Sequence, residues 1–358
     1  MKSYTFTCGK DILILLLVVQ TGNSILNSLL NVQWLTITTL RFIDSDLTRE
    51  LRQLIKSEKW SIQGELGSGI SGGVFSMKKG RLFNKKTYAL KVITDKVMFE
   101  NERNALKELK NISYFPQLIQ CKLGLRYHCI VMSQQLCDIS MMMSLMKEKK
   151  FSIMTTTKVF RDCVQALWVM HEKGLLHRDV KPSNILISMD GRRVLLSDFS
   201  HSTKYLPGEH ETFVSQFIGT PIYASMNVHY LYEPTRRDDL ISLFYSAVEM
   251  LGLLPWACCR SYVEVIWQKQ HKLNFLRALP LNYQEIYYYL LKVAQHHCPR
   301  YDYVISQLDA VIERHSSTAD FSYDWQVEDA LLEECGEEIL KKMKKHRQIR
   351  KHRCFLCY

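Results

Sequence analysis

The stretch that decides the fold is His177 to Leu186, "HRDVKPSNIL". Three of its polar side chains carry distinct chemistry. Asp179 can accept a proton from a hydroxyl, Lys181 can neutralise charge on a transferring phosphoryl group, and Asn184 can coordinate a metal ion. All three sit in a short loop that runs into an apolar strand, Ile185 to Ile187, so they can converge on one point. As a purely structural feature the stretch would be a polar loop turned by Pro182. His, Arg, Asp, Lys and Asn together at this spacing outweigh that reading.

A second stretch follows at hairpin distance. "VLLSDFSHSTKY", residues 194 to 205, opens with three apolar residues, Val194 to Leu196, and then presents Asp198. About fourteen residues separate the two acid-bearing stretches, as in two strands of a hairpin. Asn184 and Asp198 can then share Mg²⁺, whose hard charge suits oxygen ligands and phosphate oxygens.

Upstream, "WSIQGELGSGISGGVFSMKK", residues 60 to 79, holds a glycine cluster including Gly67, Gly69 and Gly72, followed by Val74. Without Cβ atoms, backbone N–H groups can approach phosphates closely. A dinucleotide fold would start a helix at these glycines. Here Val74 to Ser76 continue as a strand, so the loop joins two antiparallel strands. In "KKTYALKVI", residues 85 to 93, Tyr88, Leu90 and Val92 face one way and Ala89, Lys91 and Ile93 the other. A lysine in an apolar strand needs a partner. Glu102, on the predicted helix "FENERNALKELKNI", is one candidate and Glu100 the alternative.

"YHCIVMSQQL", residues 127 to 136, is another predicted strand. After it the pattern becomes helical. "TTTKVFRDCVQALWVMHEKG", residues 155 to 174, offers threonines as an N-cap and Gly174 as a C-cap. "DDLISLFYSAVEMLGLLPW", residues 238 to 256, is apolar on nearly every face and predicts a buried central helix. Residues 283 to 293 and 301 to 313 are amphipathic. The predicted class is α+β: a small antiparallel sheet with one helix, then a larger, mostly helical part.

The composition, 47% hydrophobic and 23% charged, excludes a disordered chain. Eleven irregularly spaced cysteines argue against a disulfide framework and for a reducing compartment. The net charge of +11 is concentrated: residues 341 to 353, "KKMKKHRQIRKHR", carry eight Lys and Arg and no acid, and without them the charge is +3. That run predicts a solvated tail or a contact with an acidic surface or membrane. Ile12 to Val19 is too short to span a bilayer. With Asp11 beside it and no small-residue cleavage site, neither a signal peptide nor an anchor is expected.

Together these elements resemble a eukaryotic-type protein kinase over about residues 60 to 330. "GTPIYASMNVHYLYEPTRRDDLISLFYSAVEMLGLLPW" resembles the casein kinase 1 group. "SLFYSAVEM" and "CPRYDYVISQLDAVIERHSSTADFSYDW" are closer to the tau-tubulin kinase branch. The resemblance implies a bilobal fold: an extension of unknown role at 1–57, a kinase domain at 58–333 (N-lobe 58–132, hinge 133–137, C-lobe 138–333) and a basic tail at 334–358. It implies that Gly67, Gly69, Gly72 and Val74 cover ATP and that Ala89 lines the adenine pocket. Met132 would be the gatekeeper, and Ser133 to Gln135 the hinge. Lys91 and Glu102 would orient phosphate, Asp179 would be the base, Lys181 the charge stabiliser, and Asn184 and Asp198 the Mg²⁺ ligands. Asp239 would brace the catalytic loop.

Lys181 further implies Ser/Thr hydroxyls of protein substrates as acceptors. The chain is expected to act as a monomer, in the cytoplasm or nucleus, without specific nucleic-acid binding. Two positions depart from the family pattern. Ser200 replaces the usual Gly, which restricts the backbone but removes no ligand. Ile222 replaces an arginine that helps bind an anion near the substrate. A pseudokinase scaffold is the rival expectation. Ser200 is its only support, and the retained Lys91, Asp179, Asn184 and Asp198 weigh against it.

Overall fold

The structure, a computed structural model, describes residues 60–69, 72–79, 86–205, 213–271, 273–295, 297–315, 322–327 and 335–337. The apolar run Ile12 to Val19 and the basic run 341–353 lie outside them.

Five antiparallel strands form the first sheet: β1 (Trp60–Gly69), β2 (Gly72–Lys79), β3 (Thr87–Ile93), β4 (Leu118–Lys122) and β5 (His128–Ser133). Their spatial order is β1-β2-β3-β5-β4. The period-two alternation of β3 divides its side chains as the sequence predicts. Leu90 and Val92 join Trp60, Phe75, Met77, Cys129 and Val131 in a small core on one face. Ala89 and Ile93 face the other way, toward Phe99, Ala105 and Leu106 of helix α1 (Lys96–Glu108). That helix begins three residues earlier than the pattern suggests. Asp95 caps it, its carboxylate accepting the Met98 N–H at 2.8 Å.

The chain then passes through β6 (Cys137–Asp138), α2 (Ile139–Leu145), α3 (Ile153–Glu172), β7 (Leu175–Leu176), β8 (Ile185–Ile187), β9 (Val194–Leu196) and β10 (Thr203–Lys204). Helices α4 (Met226–His229), α5 (Arg236–Met250), α6 (Tyr262–His271), α7 (Leu281–Lys292), α8 (Tyr301–His315) and α9 (Asp324–Val327) complete it. The architecture is the kinase one: a five-stranded antiparallel sheet with a helix, then a mostly helical region.

The expected threonine cap of α3 is corrected. Ser152 is the N-cap, extended at φ −63 and ψ 161, and its Oγ accepts the Thr155 N–H at 3.2 Å. The threonines lie inside the helix and are buried. Thr157 satisfies its hydroxyl on the Ile153 carbonyl at 2.6 Å and against the Tyr283 hydroxyl at 2.9 Å, as a buried polar group must. Gly174 does end the helix, at φ +68. Helix α5 is buried along nearly its whole length. Phe244 stacks on Tyr287 with centroids 4.9 Å apart and meets Phe160 edge-on at 6.2 Å, which locates the core between α3, α5 and α7. Near the end of the described chain, Trp325 is fully buried and donates its indole N–H to the Gly191 carbonyl at 2.8 Å.

Candidate active site

Lys91 projects from β3 beneath the sheet and is buried. Its Nζ lies 2.6 Å from Glu102 Oε2 and 2.7 Å from Asp198 Oδ1. The choice between Glu102 and Glu100 is thereby made. Glu102 shares the inner face of α1 with Phe99, Ala105 and Leu106, whereas Glu100 pairs with Arg103 on the outer face. Burial pushes the Glu102 carboxyl up to about 7, against the pull of Lys91. Burial opposes the charge of Lys91 and of Asp198 as well. There the mutual attraction wins: the ammonium's pKa is raised and the Asp198 carboxyl's is lowered.

The loop after β7 is held from below. Asp239, near the start of α5 and only 2% exposed, accepts the backbone N–H of His177 on Oδ2 and that of Arg178 on Oδ1, each at 2.8 Å. Its Oδ2 also lies 2.9 Å from His171 Nε2, while His171 Nδ1 lies 2.6 Å from the Tyr301 hydroxyl. Burial lowers the His171 pKa, so the ring is neutral. One tautomer satisfies both neighbours: Nε2–H donates to Asp239, and Nδ1 accepts from Tyr301. These anchors hold Arg178 at φ +66, a conformation that non-glycine residues rarely adopt.

Asp179, 7% exposed, sits at the top of this loop. The Thr220 hydroxyl donates to its Oδ1 at 2.6 Å. Lys181 Nζ lies 2.8 Å from its Oδ2 and also donates to Thr220 Oγ1 at 2.9 Å. Asn184 Nδ2 donates to the Asp179 carbonyl at 2.8 Å and reaches Oδ2 at 3.3 Å. Gly219, at φ +101, lets the segment before Thr220 approach this closely. A Cβ there would stand 2.5 Å from the Arg178 carbonyl oxygen. Thr220, within "GTPIYAS", is not singled out by the sequence: its contact with Asp179 spans 41 positions and needs the fold.

The hairpin expected between the two acid-bearing stretches is present, with Ile185 paired to Leu196 and Ile187 to Val194. It brings Asn184 beside Asp198: the Ser197 N–H donates to the Asn184 carbonyl at 2.9 Å, and His177 Nε2 donates to the Ser197 carbonyl at 3.0 Å. Asp198 itself carries the unusual backbone, at φ +62; Ser200 is not among the described residues with positive φ. The Ser200 hydroxyl donates to Asp198 Oδ1, the oxygen that also meets Lys91. The serine thus brings a hydroxyl bond to Asp198 that a glycine could not make.

Above these groups, Gly72 at φ +143 lies so close to β3 that a Cβ would fall 1.8 Å from the Val92 carbonyl oxygen. A Cβ on Gly67 would meet nothing within 4 Å. Val74 pairs with Lys91 across β2 and β3, and Ala89 pairs with Met132 across β3 and β5. Gly69 pairs with Gly72 where the loop closes. Beyond Met132, the Ser133 N–H donates to the Gln117 carbonyl at 2.9 Å, and Ser133 Oγ accepts from the Gln117 N–H at 2.9 Å and from Gln135 Nε2 at 3.1 Å.

Residues 60–271 match the protein kinase domain family. A probable serine/threonine-protein kinase of Dictyostelium discoideum is 28% identical over 288 residues, 77% of this chain and 58% of that protein. A probable casein kinase I homolog of Encephalitozoon cuniculi is 32% identical over 208 residues, 55% of this chain and 64% of its own length. Casein kinase I homolog 1 of Schizosaccharomyces pombe is 30% identical over 201 residues, 50% of this chain and 44% of its own. The chain thus spans about half to two thirds of the length of these relatives, and it is homologous to serine/threonine kinases, distantly to casein kinase I homologs. The domain match takes in Lys91, Glu102, the loop from His177 to Asn184, Asp198 and Asp239 alike: the chain belongs to the protein kinase domain family.

Proposed function

We propose that the chain is an active Ser/Thr protein kinase that transfers the γ-phosphoryl group of Mg²⁺-ATP to protein hydroxyls. One observation carries this reading: Lys91 meets both Glu102 and Asp198 within 2.7 Å, so strand, helix and metal-ligand loop are already aligned. The donor set fits Mg²⁺, which takes oxygen ligands, commonly from one or two protein groups with phosphates and water completing the shell. Asp198 is held ionised, and Asn184 stands next to it across the hairpin. When bound, the cation would offset charge on the phosphate oxygens.

The chain's own residues do the rest. The glycine loop leaves open space at Gly67 for a nucleotide, with Gly69, Gly72 and Val74 closing over it; Ala89, Met132 and Gln135 border the base. Lys91 orients the phosphates. Asp179 takes the proton of the acceptor hydroxyl through the carboxylate that Thr220 and Lys181 hold in place. Lys181, beside it, stabilises the charge of the transferring group. Ser200 removes neither a ligand nor a base, so the pseudokinase reading has no observation in its favour beyond the substitution itself.

The finer assignment, the casein kinase 1 group and its tau-tubulin kinase branch, rests on the stretches 219–256 and 298–325. Ile222, in place of the group's arginine, removes a cation beside the acceptor and argues for unprimed substrates. The basic run 341–353 would add a contact with acidic surfaces, and the kinase would work as a monomer in the cytoplasm or nucleus. The test is phosphate transfer from Mg²⁺-ATP to casein by the full chain, with Asp198→Ala abolishing it. Equal incorporation by wild type and variant would end the proposal.

A further inference from the structure

Lys269 lies on α6, far from the catalytic lysines in sequence, and is 3% exposed. Among the described residues no carboxylate pairs with it. Its Nζ lies instead 2.7 Å from the Pro221 carbonyl, 2.6 Å from the Ala224 carbonyl and 3.1 Å from His229 Nε2. The rings of Tyr245 and Trp256 flank it, with centroids at 5.1 and 5.6 Å. Burial lowers the pKa of this amine to about 6 and that of His229 to about 3. The amine's hydrogens are aimed at the two carbonyls, and His229, whose Nε2 also lies 3.2 Å from the Pro221 carbonyl, closes the third side.

The two carbonyls belong to the segment that starts at Thr220, whose hydroxyl touches Asp179. The next residues therefore lie beside the place where an acceptor hydroxyl must sit. Other side chains tie the same segment: Trp256 Nε1 donates to the Ile222 carbonyl at 2.9 Å, the Tyr223 hydroxyl to Glu249 at 2.6 Å and the Ser225 hydroxyl to Asp238 at 2.6 Å. Lys269 is the tie from α6, and it holds two carbonyls at once. An apolar residue in that aromatic pocket would pack well but leave both carbonyls without their donor.

We propose that Lys269 is a positioning residue for the protein acceptor: by fixing the carbonyls of Pro221 and Ala224 it sets the backbone against which the acceptor chain lies next to Asp179. This rests on the kinase reading above. It makes Lys269 a structural donor to the acceptor-side segment with no part in nucleotide binding.

The test is steady-state kinetics of the full chain with dephosphorylated casein as acceptor, comparing wild type, Lys269→Met and Trp267→Ala, an exposed position on the same helix. Lys269→Met should raise KM for casein about tenfold or more, the scale of losing one or two hydrogen bonds. KM for ATP and acceptor-independent ATP hydrolysis should stay within about twofold, and Trp267→Ala should match wild type. A folded Lys269→Met protein with unchanged casein KM, or with both KM values raised together, overturns the role. If Lys269→Met does not fold, His229→Phe carries the test, since it removes the partner of the amine; an unchanged casein KM there overturns it equally. An active wild type beside an indifferent Lys269→Met sinks only this inference, whereas a wild type that transfers no phosphate sinks the kinase reading and this role with it.

Discussion

Replacing Asp239 by asparagine alters one atom and its charge at the point where the catalytic loop is fastened. The carboxylate accepts three hydrogen bonds: His177 N–H and His171 Nε2–H on Oδ2, and Arg178 N–H on Oδ1. An amide keeps one oxygen. Its better orientation leaves that oxygen where Oδ2 stands, and turns an NH₂ group toward the Arg178 N–H, donor against donor. One charge-assisted bond worth about 1.5–3 kcal/mol is lost, and the two survivors weaken to neutral bonds of about 1 kcal/mol each. The expected loss of stability is therefore about 2.5–7 kcal/mol, a large part of the roughly 5–15 kcal/mol that a domain has. Function should suffer too. Arg178 is held at φ +66 by this anchor, and Asp179 follows it directly, so release of the strain moves the carboxylate that must meet the acceptor hydroxyl. Displacement on the order of 1 Å should lower kcat about 10²-fold. Urea unfolding followed by tryptophan fluorescence gives the first quantity, and casein phosphorylation at saturating ATP the second. His171→Phe made alone and with Asp239→Asn should be non-additive by more than about 0.5 kcal/mol, since both act on one network. A loss below about 1 kcal/mol, or additivity of the pair, would refute the view that Asp239 is an ionised anchor satisfied by these donors.

Thr220→Val removes the hydroxyl shared by Asp179 and Lys181 and should lower kcat about 10- to 100-fold with KM for ATP unchanged. Thr220→Ser should restore it, and a valine variant of full activity would show the bridge to be idle. Ser200→Gly removes the hydroxyl bond to Asp198 without relieving a positive φ, so transfer should persist within about tenfold of wild type; a Mg²⁺ titration of bound fluorescent nucleotide, run beside the activity assay, would expose a larger throttle if Ser200 imposed one. The pH dependence of stability has a definite sign. His229 is neutral in the folded chain down to about 3, against 6.5 for the free side chain, so the unfolded chain binds the extra proton between those values. Stability should fall as pH drops through this window, by about 1.4 kcal/mol per pH unit from this group, and His229→Phe should flatten the urea midpoint against pH there.

Legibility in the sequence followed the range of the contacts. The loop from His177 to Asn184 and the hairpin to Asp198 are local, so spacing alone brings Asp179, Asn184 and Asp198 together. Alternation on β3 identified the buried face of Lys91. The choice of Glu102 over Glu100 was open, although helical periodicity from Ala105 and Leu106 back to Glu102 carries the answer. The N-cap of α3 was misplaced because three threonines masked Ser152, whose extended backbone is what a cap needs. A serine in place of glycine announces a narrower backbone, whereas its hydroxyl bond to Asp198, and the positive φ of Asp198 itself, are visible only in the structure. Thr220 and Lys269 were missed altogether. Their partners lie 39 to 48 positions away, and no local pattern in a threonine or a lysine announces such a contact.

The site fastens its charges in two different ways, and the difference follows what each must do. Among the described residues no Lys or Arg forms an ion pair with Asp239. Backbone N–H groups and a neutral imidazole solvate it, and all of them belong to the fixed frame of the larger lobe. Such an arrangement does not exchange, because every donor would be left buried and unpaired on release. Lys91 is the opposite case. It divides one ammonium between Glu102 on α1 and Asp198 just beyond β9, at 2.6 and 2.7 Å. A phosphate at Lys91 together with a cation at Asp198 would replace the bond between them at little net cost, since each desolvated charge gains a new partner as it loses the old, whereas Glu102, 1% exposed, would have none and keeps its bond to Lys91. Burial raises the Glu102 carboxyl and Lys91 pulls it back, with the balance at about 7. A fixed anchor below and an exchangeable pair above match the proposed phosphoryl transfer: Asp179 as base would have to stay in place, whereas the charges beside the nucleotide would be surrendered and recovered at each turnover.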